Sequence, residues 1–290
     1  MALYDPVNGV YRKVAKVYDP VDGVYRNVTK AYDPVDGVYR QYFSGGGNTA
    51  GALAVGDSLW LNVDGTLTEF LVVHQGNPDS ALYDTSCNGT WLLMKDCYGA
   101  NMPWDEDEYD QGDELISKMS NDYGDSSIHY WLHNYGGFYY ELSNTVKDAI
   151  KQVKLPYTDA DGNAKTGSNG LSSKVFLLSI YEVGHDGCYS TQTKPCTPTD
   201  GACLDYFSSA VGQTGLVAIR QAKYNGTNRN WWLRSSAWTG ISSHKNMVWS
   251  VDTYGGCGVT NCGNQRYVRP AFILDSNTPF AQADGKNIIE

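Results

Sequence analysis

Asn230-Trp-Trp-Leu-Arg-Ser235 and Tyr267-Val-Arg-Pro-Ala-Phe-Ile-Leu274 decide how this chain is read. Each block is apolar and aromatic around an arginine, with the length and β-prone composition of a short buried strand. In a strand, Trp231 and Trp232 point to opposite faces, one into a core and the other under neighbouring loops. Arg234 and Arg269 then lie in apolar surroundings, where a guanidinium must be held by a carboxylate or by backbone carbonyls. Between the blocks the character changes. Nearly half of residues 237–266 are Gly, Ser, Thr or Asn, with Trp238, His244, Trp249 and Tyr254 set among them. Rigid aromatics on a small polar background have the composition of a contact surface. The expectation is a displayed binding face held between two fixed strands.

Three copies of one unit open the chain, starting at Tyr4, Tyr18 and Tyr32 and reading Tyr-Asp-Pro-Val-Asn/Asp-Gly-Val-Tyr-Arg. Asp-Pro is read as opening a turn and Asn/Asp-Gly as closing it, so each copy is a turn plus a strand. So short a region does not stand alone, which points to stacking against other copies or a larger assembly. Gly45-Gly46-Gly47 reads as a joint. Strand-like blocks follow at Ser58–Asn62, Glu69–His74, Thr90–Lys95 and Lys174–Tyr181. Two short helices are expected. One is capped by Ser126/Ser127 and carries Ile128, Trp131, Leu132 and Tyr135; the other follows Ser143 and carries Val146, Ala149, Ile150 and Val153. Together these give an α+β domain with long excursions at 158–170 and 185–201.

The 290 residues hold 41% hydrophobic and 19% charged residues, enough for a real core. A net charge of −10 argues against nucleic acid or an anionic membrane as partner. With 22 Tyr and 8 Trp, many aromatics are expected at surfaces and interfaces. No apolar run is long enough to span a membrane, so no membrane insertion is expected, and the N-terminus lacks the pattern of a signal peptide. The seven cysteines match no zinc module; Cys188 with Cys196 is the best disulfide candidate.

Familiar chemistry finds little support. His129 and His133 are spaced i, i+4 but lack a zincin glutamate and an evident third ligand, so an ordinary hydrogen-bonded pair is favoured. The acidic run Asp105–Asp110, with Asp113 and Glu114, departs from a calcium loop and reads as a solvated face. Gly255-Gly256-Cys257-Gly258 lacks the strand–helix context of a phosphate cradle. No cofactor or metal is implied, and no catalytic constellation stands out.

Asn230–Ser235 and Val268–Phe272, together with Val55-Gly-Asp57, Trp91–Met94, Ser127–His133 and Lys174–Val183, resemble a domain family of unknown function common in gut Firmicutes and their phages. That family is similar to C-type-lectin-fold variable proteins diversified by retroelements and displayed on phage tails or cell surfaces. The resemblance implies a stem at 1–44, a C-type-lectin-like binding domain at 50–276 and a tail at 277–290. It implies a non-catalytic receptor-binding protein on a virion or exposed cell surface. The partners would be a host surface protein or glycan and other virion proteins, with a homotrimer as the favoured assembly. Ligand contact is assigned to Ala237, Trp238, Thr239, Ile241, Ser243, His244, Met247, Trp249, Ser250, Tyr254, Cys257, Val259, Asn261, Cys262 and Asn264. Adenine-directed change of an Asn codon cannot yield Trp, Met or Lys, so Trp238, Lys245, Met247 and Trp249 would be scaffold or come from other codons. A formylglycine-generating copper oxidase, using Cys257 and Cys262, is the alternative on the same fold; a bacterial adhesin is another.

Overall fold

The computed structural model describes the backbone of the strands within residues 4–44. With side chains it describes residues 48–106 (Ala100 by backbone only), 119–159, 161–188, 196–213, 215–237 and 246–289. The chain divides into Met1–Thr49 and Ala50–Glu290.

In the first unit each repeat is a separate two-stranded antiparallel hairpin: Tyr4–Val7 with Val10–Lys13, Val17–Val21 with Val24–Val28, and Lys30–Val35 with Val38–Ser44. Asp-Pro lies inside the first strand of each, with Pro6, Pro20 and Pro34 opposite Tyr11, Tyr25 and Tyr39. Asp-Pro, expected to open a turn, is therefore strand, and the Asn-Gly or Asp-Gly pairs lie outside the described residues. Proline is tolerated in the strand because each strand of a lone hairpin is an edge.

The second unit is built on two sheets. The larger has seven strands in the order Val175–Phe176, Ala271–Leu274, Gly89–Met94, Thr66–Gly76, Ser58–Val63, Lys286–Ile289 and Ala281–Ala283. Residues 277–290, read as a tail, thus supply strands, one of which pairs in parallel with Ser58–Val63. The smaller sheet has the order Tyr98–Met102, Arg266–Val268, Trp231–Ser236, Met247–Val251 and Cys257–Asn261. The second decisive block is divided between them, because Arg266–Val268 belongs to the smaller sheet and Ala271–Leu274 to the larger. Pro270, which has no N–H to give a ladder, sits at the crossover.

Every residue of Gly89–Met94 is buried, so the larger sheet is covered on both faces. Phe70, Val72, Leu92 and Phe272 enter one core with Ile128, Leu132, Phe138 and Trp232. Leu71, Val73, Trp91, Leu93 and Ile273 enter the other with Phe176, Phe207, Trp231 and Trp249. Trp231 and Trp232 therefore do face opposite ways. Both are fully buried, one in each core, and Trp231 donates from Nε1 to the Arg220 carbonyl of the irregular segment before the strand.

The α+β, C-type-lectin-like fold class with two short helices is corrected. Strand makes up 37% and helix 17%, so the protein is mostly β, with mixed and antiparallel sheets. The α-helices are Ser127–His133, Phe138–Glu141 and Asn144–Ala149. Ser126 and Ser143 cap the first and third as expected, their hydroxyls accepting from the N–H of His129 and Val146. The first stops before Tyr135 because Asn134 is extended, and the chain then turns back through Gly136 at φ +81°, with Gly137 so close to the Trp131 carbonyl that no side chain fits. Among the described residues no helix is long and apolar enough to cross a membrane.

Candidate functional site

Lys174–Tyr181 was expected as one strand, yet only Val175–Phe176 joins a ladder. The rest is buried irregular backbone, and its polar groups need other partners. Arg234 supplies several. Its side chain is fully buried and forks onto Glu182, Nη1 to Oε2 at 2.6 Å and Nη2 to Oε1 at 2.7 Å. It also donates to the carbonyls of Leu177 (2.9 Å), Pro156 (3.1 Å) and Asp200 (2.9 Å), while the Arg234 N–H reaches Leu178. Glu182 accepts further bonds from the Tyr83 hydroxyl and the Ser179 N–H. The Tyr123 hydroxyl accepts from the Leu177 N–H, and the Ser235 hydroxyl from that of Ile180. Burial works against the charge on Arg234, but Glu182 outweighs it and holds the guanidinium's pKa above its ordinary value. Burial, then Glu182, pushes Tyr83 up as well. This is the carboxylate clamp expected at Arg234.

The clamp adjoins the described ends of two segments, 189–195 and 238–245, which themselves lie outside the described residues. Residues 188–196 are closed by the Cys188–Cys196 disulfide and by Thr197 N–H donating to Gly187 at 3.0 Å. Residues 238–245 are closed by Ala237 N–H donating to Met247 at 2.9 Å. Thr197 joins the two necks: its hydroxyl donates to the Ser236 carbonyl at 3.0 Å and accepts from Trp249 Nε1 at 2.8 Å. The His185 ring packs 5.1 Å from Trp249.

Against that base the expected contact residues separate. Trp238, Thr239, Ile241, Ser243 and His244 lie outside the described residues. Ala237, Trp249, Ser250 and Cys262 are buried, so as they stand they present no contact surface. Trp249, 1% exposed, is part of the base. Met247, Cys257, Val259 and Asn261 are half-buried, while Tyr254 (66% exposed) and Asn264 are open to solvent. The set also divides along the sheet. Ser236 pairs near Val248 at one end of the strand, whereas Trp231 pairs with Val251 at the other, where the Tyr254 turn begins. Strands of this length are about 15 Å long at ~3.3 Å per residue. Tyr254 is therefore remote from the necks.

The other sequence candidates are structural. Cys257 packs against the core that holds Trp231, whereas Cys262 is buried in the core that holds Trp232. Cys257 opens the strand Cys257–Asn261 and Cys262 follows its end, so the two thiols sit in different cores rather than in one shared site. Burial pushes the Cys257 thiol up to about 12. Gly255-Gly256 forms a tight turn in which Asp252 Oδ1 accepts from Tyr254 and Gly256 N–H, so those amides are engaged. His133 accepts at Nε2 from the Lys174 N–H (3.1 Å), which makes Nδ1 the donor to the His129 carbonyl (2.8 Å). Burial, reinforced by His133, lowers His129 to about 4. Asp105 accepts from Ser120 N–H and from both Ser127 N–H and its hydroxyl; residues 107–118 of the acidic run lie outside the described residues. No group of three or more His, Cys, Asp or Glu able to hold a metal occurs among the described residues.

Sequence reasoning missed two cavities. One of about 490 Å³ is lined by Lys95, Asp96, Tyr206, Lys223, Asn228 and Arg269. Arg269 is buried; among the described residues it donates to the Met94 and Lys95 carbonyls, the second of the two arrangements anticipated for it, and lies 5.0 Å from the Trp231 ring, while its Nη1 has no hydrogen-bond partner. The other, about 160 Å³, shares Asn228 and includes Arg229, Asn230, Gln265, Arg266 and Asn101. Its residues come from distant segments, so no local motif announced it.

Residues 88–276 match the model of a domain of unknown function, DUF6273, and include both decisive blocks. The chain belongs to that family. No curated protein and no solved structure matches it.

Proposed function

We propose that this protein is a non-catalytic target-binding protein, carried on a phage tail or exposed cell surface through its N-terminal hairpins. Its contact surface would be diversified by a retroelement. The observation that carries this reading is the side-chain-locked pairing of the residues that flank 189–195 and 238–245. A rigid base beneath sequences rich in Trp, Ser, Gly and His lets side chains change while the backbone that presents them is held. The target would be a host surface protein or glycan. Several copies, as in a homotrimer, would raise weak single contacts to useful avidity.

The copper-oxidase alternative loses its donor pair, because Cys257 and Cys262 enter different cores. A bacterial adhesin differs only in what carries the stem. The test is attachment of the full chain to a panel of whole bacterial cells, with residues 238–245 replaced by a Gly/Ser sequence of equal length. Loss of attachment at an unchanged melting temperature is expected; undiminished attachment contradicts the proposal. Sequencing the locus in sister isolates should find substitutions concentrated in 237–264 beside a reverse-transcriptase gene, and an even spread along the chain contradicts diversification.

A further inference from the structure

The pocket of about 160 Å³ at the start of Trp231–Ser236 combines two features rarely left together. Arg229 and Arg266 both line it, and neither forms an ion pair with a described residue. The Nε of each is buried without a hydrogen-bond partner. The Arg229 side chain donates no hydrogen bond to any described residue, and Arg266 makes one, from Nη1 to the Gln265 carbonyl. Each guanidinium lies instead against a ring, Arg229 at 5.4 Å from Tyr267 and Arg266 at 5.9 Å from Trp232. Ring contact orients a guanidinium but leaves its N–H donors unused. Two such forks in a chain of net charge −10 are a cationic site with no internal counter-ion.

Beside Thr253 and Tyr267, the rest of the lining is amide: Asn101, Asn228, Asn230 and Gln265. Asn228 is fixed by donating to the Thr253 carbonyl, and Asn101 donates to the Gln265 side-chain oxygen at 3.4 Å. Amides both donate and accept, as hydroxyl groups do. The larger cavity next door is different, since Asp96 lines it and Lys95 pairs there with Glu69. Of the two, only the smaller pocket has cations and no carboxylate in its lining.

From this arrangement we infer that the Arg229–Arg266 pocket binds an acidic sugar. The two guanidiniums take its oxyanion in forked hydrogen bonds, and the amides take its hydroxyls. The inference is independent of the function proposed above, since it uses none of residues 238–245. Carboxylate and sulfate or phosphate esters share the required chemistry, and the probes separate them.

The test is calorimetric titration of the full chain with glucuronate, glucose 6-sulfate, glucose 6-phosphate and glucose at low salt, repeated for Arg229→Gln, Arg266→Gln and Arg229→Lys. At least one acidic sugar should bind at least tenfold more tightly than glucose, weakening as salt rises. Either Gln variant should lose at least tenfold of that affinity, while Arg229→Lys, which keeps the charge without the fork, should fall between. Near-ultraviolet circular dichroism identifies any variant that has lost its fold, and the titration of the unaltered chain stands without it. Equal affinity for acidic and neutral sugars, no binding of any probe at millimolar concentration, or acidic-sugar binding unchanged in a folded Gln variant would each overturn the inference.

Discussion

Two arginine environments sit on one strand and its approach, and they could hardly differ more. At Arg234 each guanidinium nitrogen has acceptors: a forked carboxylate and three carbonyls, all in the interior. Two residues before the strand begins, Arg229, with its neighbour Arg266, has a ring beside it and almost no acceptors. A guanidinium with every donor engaged is a fastener. One with buried donors unused marks a place where something from outside completes the structure. The same residue type in one small sheet thus serves the scaffold in one case and recognition in the other.

The largest expected effect breaks the fastener. Arg234→Met or Glu182→Gln leaves a buried polar partner stranded and should cost about 3–5 kcal/mol in urea unfolding. A cost below about 1 kcal/mol would remove the clamp from the account. Trp249→Ala should come next, at roughly 3–5 kcal/mol for emptying a buried indole site, and with it the Thr197 link between the necks. Tyr254→Ala, at an exposed turn, should change stability by no more than about 0.5 kcal/mol. Similar losses in these two variants would return Trp249 to the surface or bury Tyr254.

Acid response sharpens the contrast between buried groups. Burial holds folded His129 at about 4, below the ordinary 6.5, so the unfolded chain takes up the proton first as pH falls. Its contribution to stability is complete above pH 6.5 and is lost between 6.5 and 4. Burial raises Asp200 to about 6 despite Arg234, so its contribution runs the other way, falling as pH rises from about 4 to 6. Relative to the unaltered chain, His129→Gln should therefore gain stability on going from pH 7 to 5. Asp200→Asn should gain on going from pH 5 to 7. Unfolding curves at the two pH values that moved in parallel for all three proteins would contradict both assignments.

Much of the scaffold was legible because it is local. Asn230–Ser235 declared itself a strand, opposite burial of its two tryptophans followed from the period of two, and Cys188 and Cys196 were close enough to read as a pair. The rest depends on partners far away in sequence. Nothing in Tyr267–Leu274 says that the chain changes sheets at Pro270. The apolar run 174–181 looks like a strand because pattern cannot show that Arg234, Glu182, Tyr123 and Ser235 satisfy its backbone. The helical periodicity was real but gave only short helices, while strands outside the apolar blocks, such as Lys286–Ile289, carry no comparable signal, so a mostly β protein reads as α+β. Of the contact residues, composition picked out a region without telling its base from its surface. Trp249 and Tyr254 looked alike in sequence and have opposite exposures.

The contrast between the two kinds of arginine can be read directly from the Nε–Hε resonances of the full chain in nuclear magnetic resonance. Adding the acidic sugar that binds most tightly should shift the Arg229 and Arg266 signals and slow their exchange with water, while Arg234, already enclosed by Glu182, stays in place. Shifts at Arg234, or none at Arg229 and Arg266 with that sugar bound, would contradict the division between fastener and recognition site.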